Sequence, residues 1–357
     1  MRKGFYLLSI AFVLLFNDAF SQGFGIPSKR GGIGFGNLAK FTGIRFNAVD
    51  KNVERIDGVN VTFWQPKNDS ESAGVVNGIS LGVPLSGGHE TQNGINVGIL
   101  GVAANHDLNG FNFGGLGAGA GKSVSGFNFG GLGIGAGQDL RGVTFGGLGA
   151  GAGGDVMGLN IGGAGIGAGG SLTGITLAGL GAGAGGDVTG ITLAGIGLGA
   201  GENIKGLTAS IIGIGAGEKI TGITVAGLGI GAGEEIRGIT AAGVGIGSQK
   251  ITGLAVALAV GGLDLKGLMI APAYFRVGGG KRTSDDGVTS EEEGVVTGVS
   301  ISAFNEIKGE QRGVAFGIVN YTKRIRGFQL GVINIVRENP KGLRVLPIFN
   351  TRFGKKG

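Results

Sequence analysis

The chain contains no cysteine, and only 6 of its 357 residues are proline. Without cysteine it has no disulfide, no thiolate metal site and no cysteine-linked lipid anchor. The sequence after residue 21 also lacks apolar residues at helical spacing, which argues against an α-helical fold. Stability must therefore come from sheet packing and backbone hydrogen bonds.

Glycine is the most abundant feature, with 85 residues, while 42% of the chain is hydrophobic. This composition is typical neither of collagen, which needs far more proline, nor of a disordered chain, which has few apolar residues. It indicates a regular packed structure.

The first residues have the features of a secretory leader. Arg2 and Lys3 precede an apolar run over 5–16, and Ala19-Phe20-Ser21 forms a small-x-small cleavage site. The run is too short to span a bilayer as a helix. We expect an exported protein, at the cell surface or outer membrane of a Gram-negative bacterium.

Glycines that precede an apolar residue and then Asn, Thr or Ser recur every sixteen residues, and we call each a lead glycine. They are Gly78, Gly94, Gly110, Gly126, Gly142, Gly158, Gly174, Gly190, Gly206, Gly222 and Gly238. Looser relatives precede and follow this array. A fixed period of this kind is typical of repeat architectures.

Counted from the lead glycine as zero, positions 1 and 3 are apolar and position 2 is Asn or Thr, which predicts a β-strand. At position 5 the phase shifts, and positions 6, 8, 10 and 14 are apolar. We predict an all-β solenoid with about 16 residues per coil, in which positions 1, 3, 6, 8, 10 and 14 point inward.

An outer-membrane up-and-down β-barrel, with one strand per repeat, is the alternative fold. Ten extended residues plus a charged turn suit a membrane strand. Against it, residues 146–253 contain no aromatic residue to form a girdle at the membrane interface. A wide lumen lined with glycine would also remain unfilled.

In the solenoid, the residues at position 2 would form one exposed column on a flat Thr/Gly face, the candidate interaction face. The column comprises Asn112, Asn128, Thr144, Asn160, Thr176, Thr192, Thr208, Thr224 and Thr240.

The pattern divides the chain into six segments. These are a signal peptide (1–21), a Gly-rich lead-in (22–42), degenerate first repeats with a polar loop (43–77), the regular array (78–277), a charged insertion (278–294), and C-terminal repeats with a basic end (295–357).

No residue set indicates catalysis, a cofactor or a metal. His89 and His106 are expected to be solvated turn residues rather than a metal pair. Asp285, Asp286 and Glu291–Glu293 lack the ligand order of a calcium loop. Gly121-Lys122-Ser123 lacks the earlier glycine of a phosphate-binding loop, since position 116 is Leu116.

The repeat Gly-Ile-Thr-Leu-Ala-Gly-Leu-Gly, together with the tails over 326–334 and 339–347, resembles the bacterial glycine-rich surface-repeat proteins whose units read Gly-Leu-Gln-Leu-Gly-Leu-Val-Asn. The resemblance implies a surface location and no activity.

We therefore predict a non-enzymatic secreted or cell-surface protein with a structural or interaction role. Its expected partners are further copies of itself or an envelope or polysaccharide surface, with membrane association possible. The alternatives are an envelope channel and an ice- or polysaccharide-binding surface. The net charge of +6 is concentrated in residues 304–357, and the repeats carry no basic stripe, so we expect no nucleic-acid partner.

Overall fold

The computed structural model describes residues 23–64, 74–283 and 289–353, and the side chains of 281–290 are not described. The chain is all-β and forms about 16 turns of a β-solenoid with a spacing of about 16 residues, as predicted. The described residues include one 3₁₀ turn, Lys341–Leu343. Among these residues, no helix is long and apolar enough to cross a membrane. The leader at 1–21 and most of the polar loop after Trp64 lie outside the described residues.

The chain divides into two compact units, Met1–Ala178 and Gly179–Gly357. The strands of unit 1 are β1 (Phe24–Ser28), β2 (Gly31–Phe35), β3 (Lys40–Asn47), β4 (Arg55–Thr62), β5 (Val75–Gly82), β6 (Leu85–Gly98), β7 (Gly101–Gly114), β8 (Gly117–Ala120), β9 (Ser123–Gly130), β10 (Gly133–Ala136), β11 (Leu140–Gly146), β12 (Gly149–Ala152), β13 (Val156–Gly162), β14 (Gly165–Ala168) and β15 (Leu172–Ala178).

The strands of unit 2 are β16 (Gly181–Ala184), β17 (Val188–Ala194), β18 (Gly197–Ala200), β19 (Ile204–Ser210), β20 (Gly213–Ala216), β21 (Lys219–Ala226), β22 (Gly229–Ala232), β23 (Glu235–Ala242), β24 (Gly245–Gly247), β25 (Lys250–Val256), β26 (Ala259–Gly262), β27 (Asp264–Ile270), β28 (Tyr274–Val277), β29 (Lys281–Thr283), β30 (Thr289–Glu291), β31 (Gly294–Ile301), β32 (Phe304–Val336) and β33 (Val345–Thr351).

Each regular coil contains one long strand and one short strand. The long strand runs from position 14 of one repeat to position 4 of the next, and the short strand covers positions 7–10. The break between them falls at the predicted phase change. Bends at positions 5–6 and 11–13 turn the chain, so that sixteen residues complete one coil.

Neighbouring coils pair in parallel with a register of sixteen residues. In unit 1, Gly142 lies beside Gly126 and beside Gly158. In unit 2, Gly222 lies beside Gly206 and beside Gly238. An up-and-down barrel with one strand per repeat requires antiparallel neighbours, so that alternative is wrong.

In each unit, an antiparallel strand pairs with the first or last coil. In unit 1, β1 pairs antiparallel with β2. In unit 2, β33 pairs antiparallel with β32. Each of these strands contains a proline, Pro27 and Pro347 respectively. Proline has no N–H to donate, so it suits a strand at the edge of a sheet.

The lead glycines hold a backbone conformation that other residues rarely adopt. Gly206 has a φ of 122°, and a Cβ added there would lie 2.1 Å from the carbonyl oxygen of Gly190. Gly126 is in the same position in unit 1, with a φ of 104° and the oxygen of Gly110 at 2.1 Å. The strict glycine at position 0 therefore follows from close packing between coils.

The assignment of inward and outward residues is in part wrong. Positions 8 and 14 point inward as predicted, and position 10 is partly buried, but positions 1, 3 and 6 point outward and position 2 points inward. The long strand is continuous, so residues an even number apart share a side. Val188, Thr192 and Ala194 therefore lie together in the interior of unit 2, and Ile191 lies outside.

Candidate functional site

The predicted interaction face is not on the surface. Its nine residues do stack in register within each unit, as Asn128 does beside Asn112 and Thr208 beside Thr224. All nine are at most 2% exposed. The prediction of an exposed column is therefore wrong for Asn112, Asn128, Thr144, Asn160, Thr176, Thr192, Thr208, Thr224 and Thr240.

Hydrogen bonds between coils satisfy part of this buried column, whereas Thr144 Oγ1 and Thr176 Oγ1 have no hydrogen-bond partner. In unit 1, Asn96 Nδ2 donates to Asn112 Oδ1 at 2.8 Å, and Asn112 Nδ2 donates to Asn128 Oδ1 at 2.7 Å. In unit 2, Thr208 Oγ1 donates to Thr224 Oγ1 at 3.2 Å. Buried polar groups are stable when they are hydrogen-bonded, and here the partner is the same residue type one coil away.

The outward side of the long strands carries large apolar side chains instead. In unit 2 we call this surface the aliphatic face. It comprises Ile191, Leu193, Leu207, Ala209, Ile223, Val225, Ile239, Ala241, Leu254, Val256 and Leu268. Ile191, Ile223 and Ile239 are 42%, 45% and 48% exposed. Contiguous apolar patches of this kind mark interaction surfaces on folded proteins.

Unit 1 has a corresponding outward surface that is richer in aromatic residues. The rings of Phe111 and Phe127 stack with centroids 5.2 Å apart, and those of Phe113 and Phe129 stack at 4.9 Å. Phe111 and Phe127 are each about 40% exposed. Stacking one coil on the next thus orders the side chains while leaving part of each ring in solvent.

Charged residues of both signs border the aliphatic face at positions 12, 13 and 15. Lys205 Nζ lies 2.7 Å from Asp187 Oδ2, and Arg237 Nη2 lies 3.1 Å from Glu235 Oε1. The hydrogen bonds from Lys205 and Asn203 hold the pKa of Asp187 below its usual value. Asp187 therefore stays ionised near neutral pH.

The outward side of the short strands in unit 2 is bare. Positions 7 and 9 are glycine from Gly181 to Gly247, and a Cβ added at Gly199, Gly215 or Gly245 would meet nothing within 4 Å. Packing within the chain does not require these glycines. The glycines at position 11 differ, because a Cβ at Gly217 would lie 2.0 Å from the oxygen of Gly201.

A buried ion pair lies in the first coils of unit 1. Arg45 Nη1 donates to Asp50 Oδ1 at 2.5 Å and to Asn60 Oδ1 at 2.7 Å, while Thr62 Oγ1 and Asn60 Nδ2 donate to Asp50 Oδ2. His89 Nε2 lies 3.4 Å from Asp50 Oδ2. Arg45, Asp50 and His89 are each at most 3% exposed.

Burial alone would raise the pKa of the Asp50 carboxyl. The contacts with His89, Arg45 and Thr62 outweigh burial and hold this pKa well below its usual value. The prediction that His89 is a solvated turn residue is therefore wrong, because His89 lies in the interior beside a carboxylate. His106 also does not lie in a turn: it lies within β7 with its side chain partly exposed, and its Nδ1 lies 2.8 Å from Glu90 Oε1.

The charged insertion forms ion pairs with the following coils. Glu293 pairs with Lys323 and with Arg324, and Glu291 Oε1 lies 3.3 Å from Lys308 Nζ. A cavity of about 640 Å³ opens beside these residues. Its charges neutralise one another, so it does not select an ionic ligand. Asp285 and Asp286 lie outside the described residues, and among the described residues no three His, Asp or Glu side chains form a metal site.

The exposed apolar surface that sequence reasoning missed is the aliphatic face. Its signal was the uninterrupted strand register, which places Ile191 on the side opposite Val188. Comparison with protein-family models, with curated proteins and with solved structures found no match to this chain.

Proposed function

We propose that this chain is an exported, non-enzymatic protein of the cell surface, with a structural or interaction role performed through the aliphatic face. The observation that carries the proposal is the exposure of Ile191, Leu207, Ile223 and Ile239, each above 40%, in one regular row. A partner that covered these side chains would gain roughly 25 cal/mol of binding free energy for each Å² of apolar surface removed from water.

The leader and the resemblance of the repeats to glycine-rich surface-repeat proteins support the location. The buried position of the Asn/Thr column removes the basis for binding ice or a polysaccharide through exposed hydroxyls.

Surface retention in a Gram-negative host tests this proposal. The full chain, with its leader, is compared with a face variant, Ile191→Ser/Ile223→Ser/Ile239→Ser, and with a control variant, Glu202→Ser/Glu218→Ser/Glu234→Ser. We expect the natural chain and the control to be labelled on intact cells, and the face variant to be released into the medium. Circular dichroism of each purified chain checks that the fold is retained.

Two results would overturn the proposal. One is a chain that remains inside the cell with its leader uncleaved. The other is equal surface retention of the natural chain and the face variant.

A further inference from the structure

We infer that the aliphatic face of unit 2 binds the same face of a second copy of this chain. The inference rests on the proposed function for its choice of surface, and it adds the identity of the partner. Four observations lead to it: the alternation of side-chain size, the area of the face, the charges on its border and the structure of the terminal strand.

Side-chain size alternates along position 3 of the aliphatic face. Leu193 and Val225 are 40% and 46% exposed, while the coils between and beyond carry Ala209 and Ala241. Since neighbouring coils lie ~4.8 Å apart, this column alternates a projection with a depression at ~9.6 Å intervals. A second copy shifted by one coil places its projections in these depressions, as interdigitated sheet faces do.

The face is large enough for a specific but reversible contact. Six long strands contribute to it, β17, β19, β21, β23, β25 and β27. Six strands at ~4.8 Å spacing give the face its length, and about five residues of each strand give its width, so the projected area of the face is roughly 500 Å². Specific interfaces bury about 800 Å² per partner. We therefore expect a dimer that forms and dissociates with concentration.

The border charges suit a like partner. Acidic and basic residues on it nearly balance: Asp187, Glu202, Glu218, Glu234, Glu235 and Asp264 against Lys205, Lys219, Arg237, Lys250 and Lys266. A border of mixed sign lets a copy approach in a two-fold arrangement with opposite charges facing each other. An anionic lipid surface would instead favour a border of one positive sign.

The terminal strand of unit 2 directs association to the face. β33 reverses the strand direction and, among the described strands, pairs with β32 alone. Pro347 in β33 has no N–H to offer to another strand. Reversed, proline-containing edge strands hinder edge-to-edge pairing, which favours self-association through a face rather than through this edge.

Sedimentation velocity of the purified chain over a range of concentrations is the first test. We expect a reversible monomer–dimer equilibrium for the natural chain and for a control variant, Ile196→Ser/Ile212→Ser/Leu228→Ser, whose exposed side chains lie off the face. The Ile191→Ser/Ile223→Ser/Ile239→Ser variant should dimerise at least about tenfold more weakly, since a tenfold change needs only about 1.4 kcal/mol. A natural chain that stays monomeric at every concentration overturns the inference.

Single introduced cysteines are the second test, and the absence of native cysteine makes every disulfide intermolecular. Position 1 is scanned with Ile191→Cys, Leu207→Cys, Ile223→Cys and Ile239→Cys, and Leu228→Cys, exposed but off the face, is the control. A two-fold contact shifted by one coil has its axis between two coils, so it predicts fastest cross-linking at two neighbouring coils, a decline away from them, and slow cross-linking at Leu228→Cys. Equal rates at all five positions overturn the inference.

The two proposals fail separately. If the chain is monomeric but its surface retention still depends on the aliphatic face, self-association is refuted and the proposed function stands. A dimer in solution whose face variant is still retained on cells refutes the proposed function and leaves the second copy standing.

Discussion

Ile223 and Thr224 are neighbours in β21 and point to opposite sides of it. Thr224 is 1% exposed and accepts a hydrogen bond from Thr208 of the preceding coil, whereas Ile223 is 45% exposed among other aliphatic side chains. One strand thus encloses a satisfied hydroxyl and presents an apolar residue to solvent. The same division, a buried Thr at position 2 beside an outward apolar residue at position 1, recurs in the other coils with Thr at position 2.

The first prediction compares a charge placed on either side of that strand. Thr224→Asp buries a carboxylate without a charge partner and should destabilise the fold by several kcal/mol. Ile223→Asp places the same group in contact with solvent and should change stability much less. Urea unfolding followed by circular dichroism measures both. Equal midpoints for the two variants would contradict the assignment of inside and outside.

The second prediction concerns two members of the buried column in unit 1. Asn112 makes amide hydrogen bonds to both neighbouring coils, while Thr144 Oγ1 is buried without a hydrogen-bond partner. Asn112→Ala removes the donor to Asn128 Oδ1 and the main acceptor of Asn96 Nδ2, and should cost about 2–3 kcal/mol. Thr144→Val keeps the shape, removes the unpaired hydroxyl, and should be neutral or stabilising.

Thermal unfolding of the two variants beside the natural chain is the measurement. A loss of stability in Thr144→Val as large as that in Asn112→Ala would show that the Thr144 hydroxyl stabilises the fold, and would contradict its lack of a hydrogen-bond partner.

The coil and its register could be predicted from the sequence because a constant period of sixteen makes each residue the neighbour of its equivalent sixteen positions away. The side of the strand was misassigned because hydrophobicity was weighed residue by residue. Val188 and Ile191 are both aliphatic, yet they lie three apart in one continuous strand and cannot share a face.

The buried ion pair was missed because its members lie in degenerate repeats. Arg45 is at position 2 after Gly43, in the column that elsewhere holds Asn or Thr. A charged residue in that column predicts a buried residue of opposite charge, but only if position 2 is already known to point inward. The partner, Asp50, follows β3 outside the strands, where the period gives no register.

The third prediction tests this ion pair. Asp50→Asn removes the carboxylate that contacts Arg45 and His89, and breaking a buried pair costs about 3–5 kcal/mol. Denaturant unfolding of the variant measures the loss. Asp57→Asn is the control, since its partner Arg55 is exposed and exposed pairs contribute little. If both variants unfold at the same denaturant concentration, the pair does not stabilise the first coils.

The pH dependence of unit 1 follows from the same carboxyl. Because the pKa of Asp50 is lower in the folded chain than its unfolded value of about 3.9, ionised Asp50 stabilises the fold above that pH. The stabilisation is lost as the pH falls below about 4. The natural chain should therefore lose stability in this range, and Asp50→Asn should show a flatter profile. Identical acid profiles would show that another group controls the transition.

The fourth prediction separates the two classes of glycine in unit 2. Gly206→Ala forces a side chain onto a residue with a φ of 122° and places its Cβ 2.1 Å from the oxygen of Gly190. Such strain and overlap should cost about 3 kcal/mol or more. Gly199→Ala meets nothing within 4 Å and lies inside a strand, so it should stabilise the fold by about 0.5–1 kcal/mol. Denaturant unfolding midpoints measure both changes in stability. A destabilised Gly199→Ala would mean that folding requires glycine on the outward side of the short strands.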